Sequence, residues 1–276
     1  MKVHAIKYID GQPAETSEAL AGEEALQVRI NGQAYTITMR TPGHEKFLAA
    51  GLLFTERVIR RPEDVISIGE TPAANGSHVL IVDVGVRKEA LAGKNLFNRS
   101  IASSASCGVC GKIDLCDLAI SDQPLADSGK LDIRLIPNLL RKMQARQSAF
   151  DRTGGSHAAA IFSIDGALLS IQEDIGRHNA VDKVIGELFL RKALDDAEIM
   201  LVSGRVSYEI VSKCVAASIP FLLAVSAPSS LAVNLCMRQG ITLIGFCRDN
   251  RATVYTHAEN ILQHMVAGKA EFVNEG

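Results

Sequence analysis

Two cysteines, Cys107 and Cys110, lie two residues apart, and each is followed directly by glycine. Small residues precede them in the segment 103–112, and Lys112 ends it, so no long side chain shields the sulfurs on the amino-terminal side. Glycine allows the tight or left-handed backbone that presents two thiols at the tip of a turn, and a nearby cation favours the thiolate. Thiolate is the form that attacks sulfur, carries it or binds metal. The pattern predicts a reactive sulfur loop.

The same Cys-x-x-Cys spacing also occurs in half of a zinc site, in a redox disulfide, and by chance among six cysteines. Cys116 is near enough in sequence to act as a third metal ligand or as a resolving thiol. Cys214 and Cys236 fall within predicted helices, and we expect both to be buried as small apolar residues. On the motif alone, sulfur chemistry and a structural metal both stay open.

The composition is that of a globular chain long enough for one large domain or two smaller ones, with 276 residues, 47% hydrophobic and 22% charged. The formal net charge of −2 provides no long-range field for nucleic acid, so any anion must be held by a local site. The first residues lack the apolar core of a secretory signal, and no apolar run approaches the roughly 20 residues that cross a bilayer. We therefore expect a cytoplasmic protein whose thiols are kept reduced.

The first part of the chain has the pattern of a small α+β domain. Alternating β-formers flank Asn31-Gly32, which is a strong hairpin signal, and His44 is expected in solvent at the start of an amphipathic helix. The predicted elements are a hairpin at 26–30 and 35–39, a helix within 41–59 and a strand at 79–82. Residues 121–130, rich in polar residues, Pro and Gly, are the predicted linker. The N-terminal domain is therefore predicted to span residues 1–125 and to end in the sulfur loop.

In the second part, strands alternate with helices. After a helix at 135–145, the turn Asp165-Gly166 joins two segments of β-formers into an antiparallel pair. The predicted elements are strands at 158–164, 167–173, 199–202, 221–225 and 242–246 and helices at 179–190, 209–217 and 231–238. Such alternation predicts an α/β/α layered domain around one sheet, at residues 126–276. The expected fold class is α/β, or α+β over the whole chain.

Three strand-to-helix turns of the second part, at 175–179, 203–207 and 226–230, are built from Gly, Ser and Arg. Such turns gather at the carboxyl ends of the strands, where α/β proteins bind ligands. Helix N-termini there offer unpaired N–H groups to anions, and arginine grips phosphate with two parallel hydrogen bonds. The turns predict a site for a phosphorylated ligand. Its candidate residues are Gly176, Arg177, His178, Gly204 and Arg205.

Each turn taken singly is also what plain helix capping requires, because serine and glycine are ordinary capping residues. The occurrence of Gly-Arg in two equivalent turns favours the ligand site. No G-x-G-x-x-G or Walker A pattern is present, so neither a Rossmann dinucleotide site nor a P-loop is predicted. His157 and His178 lie close to glycine at element boundaries, where an acid/base role, a bond to phosphate and a purely structural role are all open.

Along nearly its whole length, the sequence resembles the formate dehydrogenase accessory sulfurtransferase (FdhD-type) family. The segments that establish the resemblance are highly specific together, whereas the Cys-x-x-Cys alone would not be. They are 41–43 (TPG), 51–56 (GLLFTE), 106–112 (SCGVCGK), 153–159 (TGGSHAA), 174–183 (DIGRHNAVDK), 203–207 (SGRVS), 226–232 (SAPSSLA) and 244–248 (IGFCR). One departure is Arg57, where the family commonly has glycine.

The resemblance implies a sulfurtransferase with a cysteine persulfide intermediate. Such a protein accepts sulfur from a cysteine desulfurase and passes it to the bis(molybdopterin guanine dinucleotide) molybdenum cofactor, which formate dehydrogenase needs for activity. By match to the family motif, Cys107 is the persulfide cysteine, and Cys110 is expected to assist transfer or release. The cofactor-binding surface that the resemblance implies consists of Phe246, Cys247, Arg248, Asp249, Asn250 and Arg251. No permanently bound metal is expected.

The resemblance further implies a C-terminal domain similar to the cytidine deaminase fold, and a homodimer that binds neither nucleic acid nor membrane. Deaminase activity is not predicted. Zinc deaminases need His-x-Glu ahead of Pro-Cys-x-x-Cys, whereas here the His-x-Glu at 257–259 follows the cysteines and Ser106 replaces the proline. The alternative from a different class is a non-catalytic chaperone that holds the cofactor and bears a zinc or disulfide loop.

Overall fold

The computed structural model describes residues 1–73, 79–94, 124–125, 129–248 and 251–262. The strands are β1 (Lys2–Ile9), β2 (Gln12–Ala19), β3 (Glu24–Ile30), β4 (Gln33–Arg40), β5 (Val65–Pro72), β6 (Leu80–Val86), β7 (His157–Phe162), β8 (Leu168–Asp174), β9 (Ile199–Val202), β10 (Phe221–Ala224), β11 (Thr242–Arg248) and β12 (Arg251–Val254). The α-helices are α1 (Glu45–Thr55), α2 (Lys88–Leu91), α3 (Ile136–Gln144), α4 (Ser148–Thr153), α5 (Arg177–Leu190), α6 (Tyr208–Ala216) and α7 (Ser230–Gln239). In these ranges, no helix has both the length and the apolar composition that a membrane span requires.

The first large sheet has the strand order β4-β3-β6-β5. Strands β3 and β4 form the predicted hairpin, and its turn residues, Asn31 and Gly32, have φ of 50° and 82°, as a type I′ turn requires. The Asn31 side chain also donates to the carbonyl of Val86 in β6 (3.0 Å) and accepts from its N–H (2.8 Å). The hairpin prediction is confirmed, and its turn also fixes the end of the neighbouring strand.

A second hairpin, β1–β2, is absent from the sequence-based predictions. Its turn, Asp10-Gly11, has φ of 49° and 80°, the same type I′ chemistry as the predicted hairpin. The two strands form a separate two-stranded sheet, and most of their residues are exposed. A strand that buries neither face is under no pressure to alternate apolar and polar residues, so the period-2 signal is missing.

Helix α1 packs its apolar side into the core of the first sheet, where Leu48 and Leu53 are fully buried. The helix begins after His44, which is exposed and has φ of 64°. The helix, predicted from apolar spacing, and the exposed histidine expected at its start are both confirmed.

Helix α1 ends in a Schellman motif. The N–H of Arg57 donates to the carbonyl of Phe54 (2.9 Å), and the N–H of Val58 donates to that of Leu53 (2.8 Å). Arg57, the first residue after the C-cap of the helix, has φ of 60°, in the left-handed region. Glycine adopts this conformation with the least strain, which explains the glycine that the resembling family commonly has here.

The second large sheet has the order β12-β11-β10-β9-β7-β8. Strands β9, β10 and β11 are parallel, and β7 is antiparallel to both of its neighbours, β8 and β9. Helices α5, α6 and α7 cover one face and α3 covers the other, so Ala159 and Ile161 of β7 lie in one core and Ala160 and Phe162 in the other. The predicted α/β fold class is confirmed.

Two glycines face each other where α1 crosses α5. A Cβ added to Gly51 would lie 2.6 Å from the carbonyl carbon of Asp182, and one added to Gly186 would lie 2.9 Å from that of Phe47. Both distances are shorter than van der Waals contact, so the two backbones approach this closely because neither position has a side chain. This crossing joins the first sheet and its helix to the second sheet.

A buried ion pair lies at the same junction. Lys213 of α6 donates to both carboxylate oxygens of Asp182 in α5, at 2.7 and 2.8 Å. Thr55, the last residue of α1, donates its hydroxyl to the same carboxylate at 2.8 Å. Three helices are thereby held together by one carboxylate.

The predicted boundary between residues 125 and 126 adjoins residues 126–128, which lie outside the described ranges. That boundary stays a prediction, as does the likeness of the second part to cytidine deaminases. Strand β11 runs two residues beyond the predicted strand 242–246 and pairs with β12. The pairing was not predicted, because β12 is only four residues long and none of its side chains is fully buried.

Candidate functional site

The Gly/Ser/Arg turns lie along one edge of the second sheet. Because β7 is antiparallel to both β8 and β9, strand β8 points the same way as β9, β10 and β11. The carboxyl ends of β8, β9 and β10 lead into residues 175–179, 203–207 and 226–230, and the fourth segment, 246–248, is the carboxyl end of β11 itself. We call this row of segments the carboxyl edge. The structure brings the segments together as the alternation of strands and helices predicts.

Backbone hydrogen bonds join neighbouring segments of the carboxyl edge. The N–H of Val206 donates to the carbonyl of Ala227 (3.2 Å), and the N–H of Ser229 donates back to Val206 (2.9 Å). The N–H of Phe246 donates to the carbonyl of Ser226 (3.2 Å). The second, third and fourth segments therefore form one continuous surface.

Arg177 of the first segment passes over Gly204 of the second, beside His157. A Cβ added to Gly204 would lie 3.4 Å from Cβ and Cδ of Arg177 and from Nδ1 of His157. Burial, and then the positive charge of Arg177, lower the pKa of His157, so its imidazole is neutral at pH 7. Nε of Arg177 is buried and has no hydrogen-bond partner among the described residues. Such a donor is costly to leave unpaired, and an oxygen of an anionic ligand would satisfy it.

Asp174 fixes the backbone of the first segment. Its carboxylate is fully buried and accepts from the N–H of Gly176 (2.8 Å) and the side-chain amide of Asn179 (3.0 Å). It also accepts from the N–H of Thr41 (3.1 Å) and pairs with the ammonium of Lys183 (2.7 Å). Four donors converge on one carboxylate, so the start of α5 has a defined position relative to β4.

His178 and Glu209 face each other across the first two segments. His178 is 4% exposed, and its Nε2 lies 3.4 Å from the hydroxyl oxygen of Ser207 and 4.0 Å from Oε2 of Glu209. Arg205, by contrast, is exposed and extends from the carboxyl edge into solvent. The predicted candidate residues thus differ in access: Arg205 is open to a ligand, whereas His178 contacts neighbouring side chains.

The fourth segment has a strained backbone and one buried side chain. Phe246 has φ of 50°, an uncommon conformation for an aromatic residue, next to an irregularity in the pairing of β11 with β12. The guanidinium of Arg248 lies 5.8 Å from the Phe246 ring centroid, within cation–π range, and Arg248 pairs in register with Arg251. Cys247 is fully buried, so its side chain packs in the core and not on the edge. Asp249 and Asn250 lie outside the described residues.

Cys107 and Cys110 also lie outside the described residues, so their role stays a prediction. Cys214, Cys236 and Cys247 are fully buried, which confirms the prediction that the first two are apolar core residues. Burial raises the pKa of Cys236 to about 12 and that of Cys247 to about 11, so both are protonated and unreactive at pH 7. In the described part of the chain, no group of three or more His, Cys, Asp or Glu side chains is placed to hold a metal ion.

Sequence reasoning missed Asp174 and Glu209 as residues of the site. Asp174 precedes Gly176 by two positions, a spacing at which aspartate often accepts from the backbone of a turn. That local signal was present, but the bond to Thr41, 133 residues away, has no local signature. Glu209 has the appearance of an ordinary acidic residue in the first turn of a helix, and only the fold brings it to His178.

Comparison with known proteins decides the family. The model of the FdhD/NarQ family matches residues 21–262. The chain belongs to that family. It is 40% identical over 278 residues to the sulfur carrier protein FdhD of Streptomyces coelicolor, with 96% of each chain covered. It is also 40% identical to the sulfur carrier protein FdhD of Sulfolobus acidocaldarius, which covers 94% of this chain and 98% of the relative.

A solved structure supports the fold. The crystal structure of a putative formate dehydrogenase accessory protein from Desulfotalea psychrophila superposes with a TM-score of 0.75 at 26% identity. The superposition covers 95% of this chain and 99% of that one. The sequence relatives and the solved structure therefore each cover more than nine tenths of this chain.

Proposed function

We propose that this chain is a sulfur carrier that supplies sulfur to the cofactor of a formate dehydrogenase. The observation that supports it most strongly is the match, at about 40% identity over nearly the whole chain, to relatives named sulfur carrier protein FdhD. The carboxyl edge adds a physical reason, because its arginines and glycine suit the phosphates of a dinucleotide cofactor. The sulfur donor is a cysteine desulfurase, the client is a formate dehydrogenase, and both meet this protein in the cytoplasm.

The proposed loading step is a thiol exchange at Cys107. Its thiolate attacks the outer sulfur of the donor's persulfide, the donor's S–S bond breaks, and the donor cysteine leaves as thiolate while Cys107 becomes the persulfide. For release, the thiolate of Cys110 attacks the inner sulfur and the outer sulfur leaves as hydrosulfide. The resulting disulfide between the two cysteines is returned to thiols by a cellular dithiol reductant.

The carboxyl edge is the proposed binding surface for the bis(molybdopterin guanine dinucleotide) cofactor, which is the acceptor of the sulfur. When bound, this cofactor supplies the metal that receives sulfur. One feature of the protein fits its phosphates: the buried Nε of Arg177, on the side chain that passes over Gly204, has no hydrogen-bond partner among the described residues. The exposed Arg205 and Arg248 add charge that can bind phosphate with paired hydrogen bonds.

Calorimetry with GDP, a fragment of that cofactor, tests the surface. Arg205→Ala and Arg248→Ala should each weaken GDP binding by roughly 1.5–3 kcal/mol, the range for a hydrogen bond to a charged group. Arg191→Ala is the matched control, because Arg191 is also exposed but lies beyond the far end of α5. Unchanged affinity in both edge variants would place the ligand elsewhere.

Single variants distinguish the roles of the two loop cysteines. Cys107→Ala should abolish both persulfide loading and maturation of the formate dehydrogenase. Cys110→Ala should still load sulfur but deliver it poorly, which an activity assay of the client enzyme measures. Normal maturation by Cys107→Ala would show that the acceptor is assigned wrongly, and would favour a chaperone that only holds the cofactor. We also propose a homodimer, which light scattering at micromolar concentration tests.

A further inference from the structure

The acidic side chains near the first two segments of the carboxyl edge fall into two groups. Three of them each accept at least three hydrogen bonds from the protein. Glu173 accepts from two backbone N–H groups of α4 and from the hydroxyl of Ser156. Asp174 accepts from four donors, and Asp182 is paired with Lys213. These carboxylates are already occupied by protein donors and hold the protein together.

Glu209 is different. Its side chain is 18% exposed, and its Oε2 lies 4.0 Å from Nε2 of His178, which is too long for a hydrogen bond. Among the described residues, none donates a hydrogen bond to its carboxylate within normal distance. In the described part of the chain, no protein group therefore lies within hydrogen-bond distance of the two acceptor oxygens that Glu209 presents at the edge.

A carboxylate does not help to bind phosphate. Arg177, Arg205 and Arg248 provide the cations of the edge, and a negative charge among them weakens the attraction for phosphate oxygens. The first turn of a helix accepts an acidic residue readily, but that stabilisation amounts to only about 0.3–1 kcal/mol and needs no particular partner. A carboxylate with free acceptor oxygens at a nucleotide-binding edge instead suits the part of a ligand that has N–H donors.

We propose that Glu209 binds the guanine ring of the nucleotide and determines its specificity. This inference rests on the proposed function, since it takes the ligand to be a guanine nucleotide. Guanine presents two adjacent donors, N1–H and the 2-amino group, and a carboxylate can accept both in a bidentate pair. Adenine has no donor at N1 and no amino group at C2, so it cannot form this pair. Glu209 thus selects guanine while the arginines bind the phosphates without regard to the base.

Binding of a xanthine nucleotide distinguishes base recognition by Glu209 from a purely structural role of that residue. Its ring keeps the N1–H donor but has a carbonyl in place of the 2-amino group, so it repels a carboxylate. The side-chain amide of glutamine has the same shape as glutamate and offers one acceptor and one donor, which match N1–H and the carbonyl. Glu209→Gln should therefore change the preferred base from guanine to xanthine.

The test is calorimetry of the full chain with GDP and with xanthosine diphosphate. A bidentate pair discriminates between bases by about 1–3 kcal/mol, or roughly 5- to 150-fold. The wild type should bind GDP tighter than xanthosine diphosphate by a factor in this range, and Glu209→Gln should lose GDP affinity and gain affinity for xanthosine diphosphate. Glu89→Gln, an exposed first-turn glutamate of α2, controls for the loss of one negative charge and should keep the wild-type preference.

Each of the following outcomes would overturn the inference. If Glu209→Gln loses affinity for GDP and for xanthosine diphosphate by the same factor, the carboxylate has a structural role only. Binding of GDP and xanthosine diphosphate with the same affinity by the wild type would show that no carboxylate reads the base, even if the variant fails to fold. Absence of any guanine nucleotide binding in the wild type would overturn the proposed cofactor surface as well, whereas GDP binding without a change of preference would overturn this inference alone.

Discussion

Replacing Asp174 with asparagine removes one negative charge from the interior of the carboxyl edge. Asparagine keeps the shape and one acceptor oxygen, but the ammonium of Lys183, 2.7 Å away, loses its counter-ion. Both side chains are at most 2% exposed, so water cannot take the place of the carboxylate. Removing one partner of a buried ion pair costs about 3–5 kcal/mol, which for a chain of this size lowers the melting temperature by roughly 6–20 °C.

The same substitution should also weaken nucleotide binding. The Asp174 carboxylate accepts from the N–H of Gly176, one residue before Arg177. Loss of the carboxylate weakens this hydrogen bond, so the backbone that positions the Arg177 side chain is less well fixed. A displacement of about 1 Å at a positioned group can cost up to 100-fold, and we expect GDP affinity to fall at least about ten-fold. Calorimetry below the melting transition of the variant measures this effect apart from the loss of stability.

Asp182→Asn is the matched control. Asp182 is also buried and paired with a lysine, but it lies in α5 five residues beyond Arg177, away from the carboxyl edge. We expect a comparable drop in melting temperature and an unchanged affinity for GDP. Equal loss of affinity in Asp182→Asn, or wild-type affinity in Asp174→Asn, would refute the reasoning that Asp174 positions the edge.

Three further variants test the fold and its charge. Gly51→Ala should lower the free energy of unfolding by about 1–3 kcal/mol because its Cβ would meet the α5 backbone, whereas Gly69→Ala, with nothing within 4 Å, should change little in urea unfolding. Arg57→Gly should raise that free energy by about 1 kcal/mol by relieving a left-handed residue; a decrease would contradict the Schellman account. The lowered pKa of His157 means that the unfolded chain binds its proton more readily than the folded one, so stability should fall as pH drops below about 6.5. Melting temperatures between pH 8 and pH 5 should therefore decline less in His157→Asn, and identical profiles would speak against a buried neutral imidazole.

The sequence predicted those features that leave a local pattern. Asn31-Gly32 indicates its turn because both residues tolerate positive φ, and strands β9 and β10 are short apolar runs between helix-forming segments. The row of Gly/Ser/Arg turns was also predicted, since the strand order of an α/β sheet decides which loops meet.

Features that depend on distant partners were not predicted. The position of Asp174 depends on Thr41, which directly follows β4 of the first sheet, and the availability of Glu209 is visible only once the partners of the other nearby carboxylates are known. Cys247 lies in a segment assigned to the cofactor surface by resemblance, yet the irregularity of β11 between Gly245 and Arg248 places its side chain in the same core as Ile244. Contacts between residues far apart in the chain, and the inward or outward direction of one residue in a short strand, have no signal in the local sequence.

The most direct test of the central claim is the mass of the peptide that contains Cys107, after the full chain has been incubated with a cysteine desulfurase and cysteine. A sulfur carrier should gain the mass of one sulfur atom on Cys107, lose it on treatment with a thiol reductant, and show no gain in Cys107→Ala. Cys214, Cys236 and Cys247 provide internal controls, because burial raises the pKa of each thiol and should keep all three free of sulfur. A Cys107 peptide without added sulfur, in a sample whose desulfurase is active, would contradict the account.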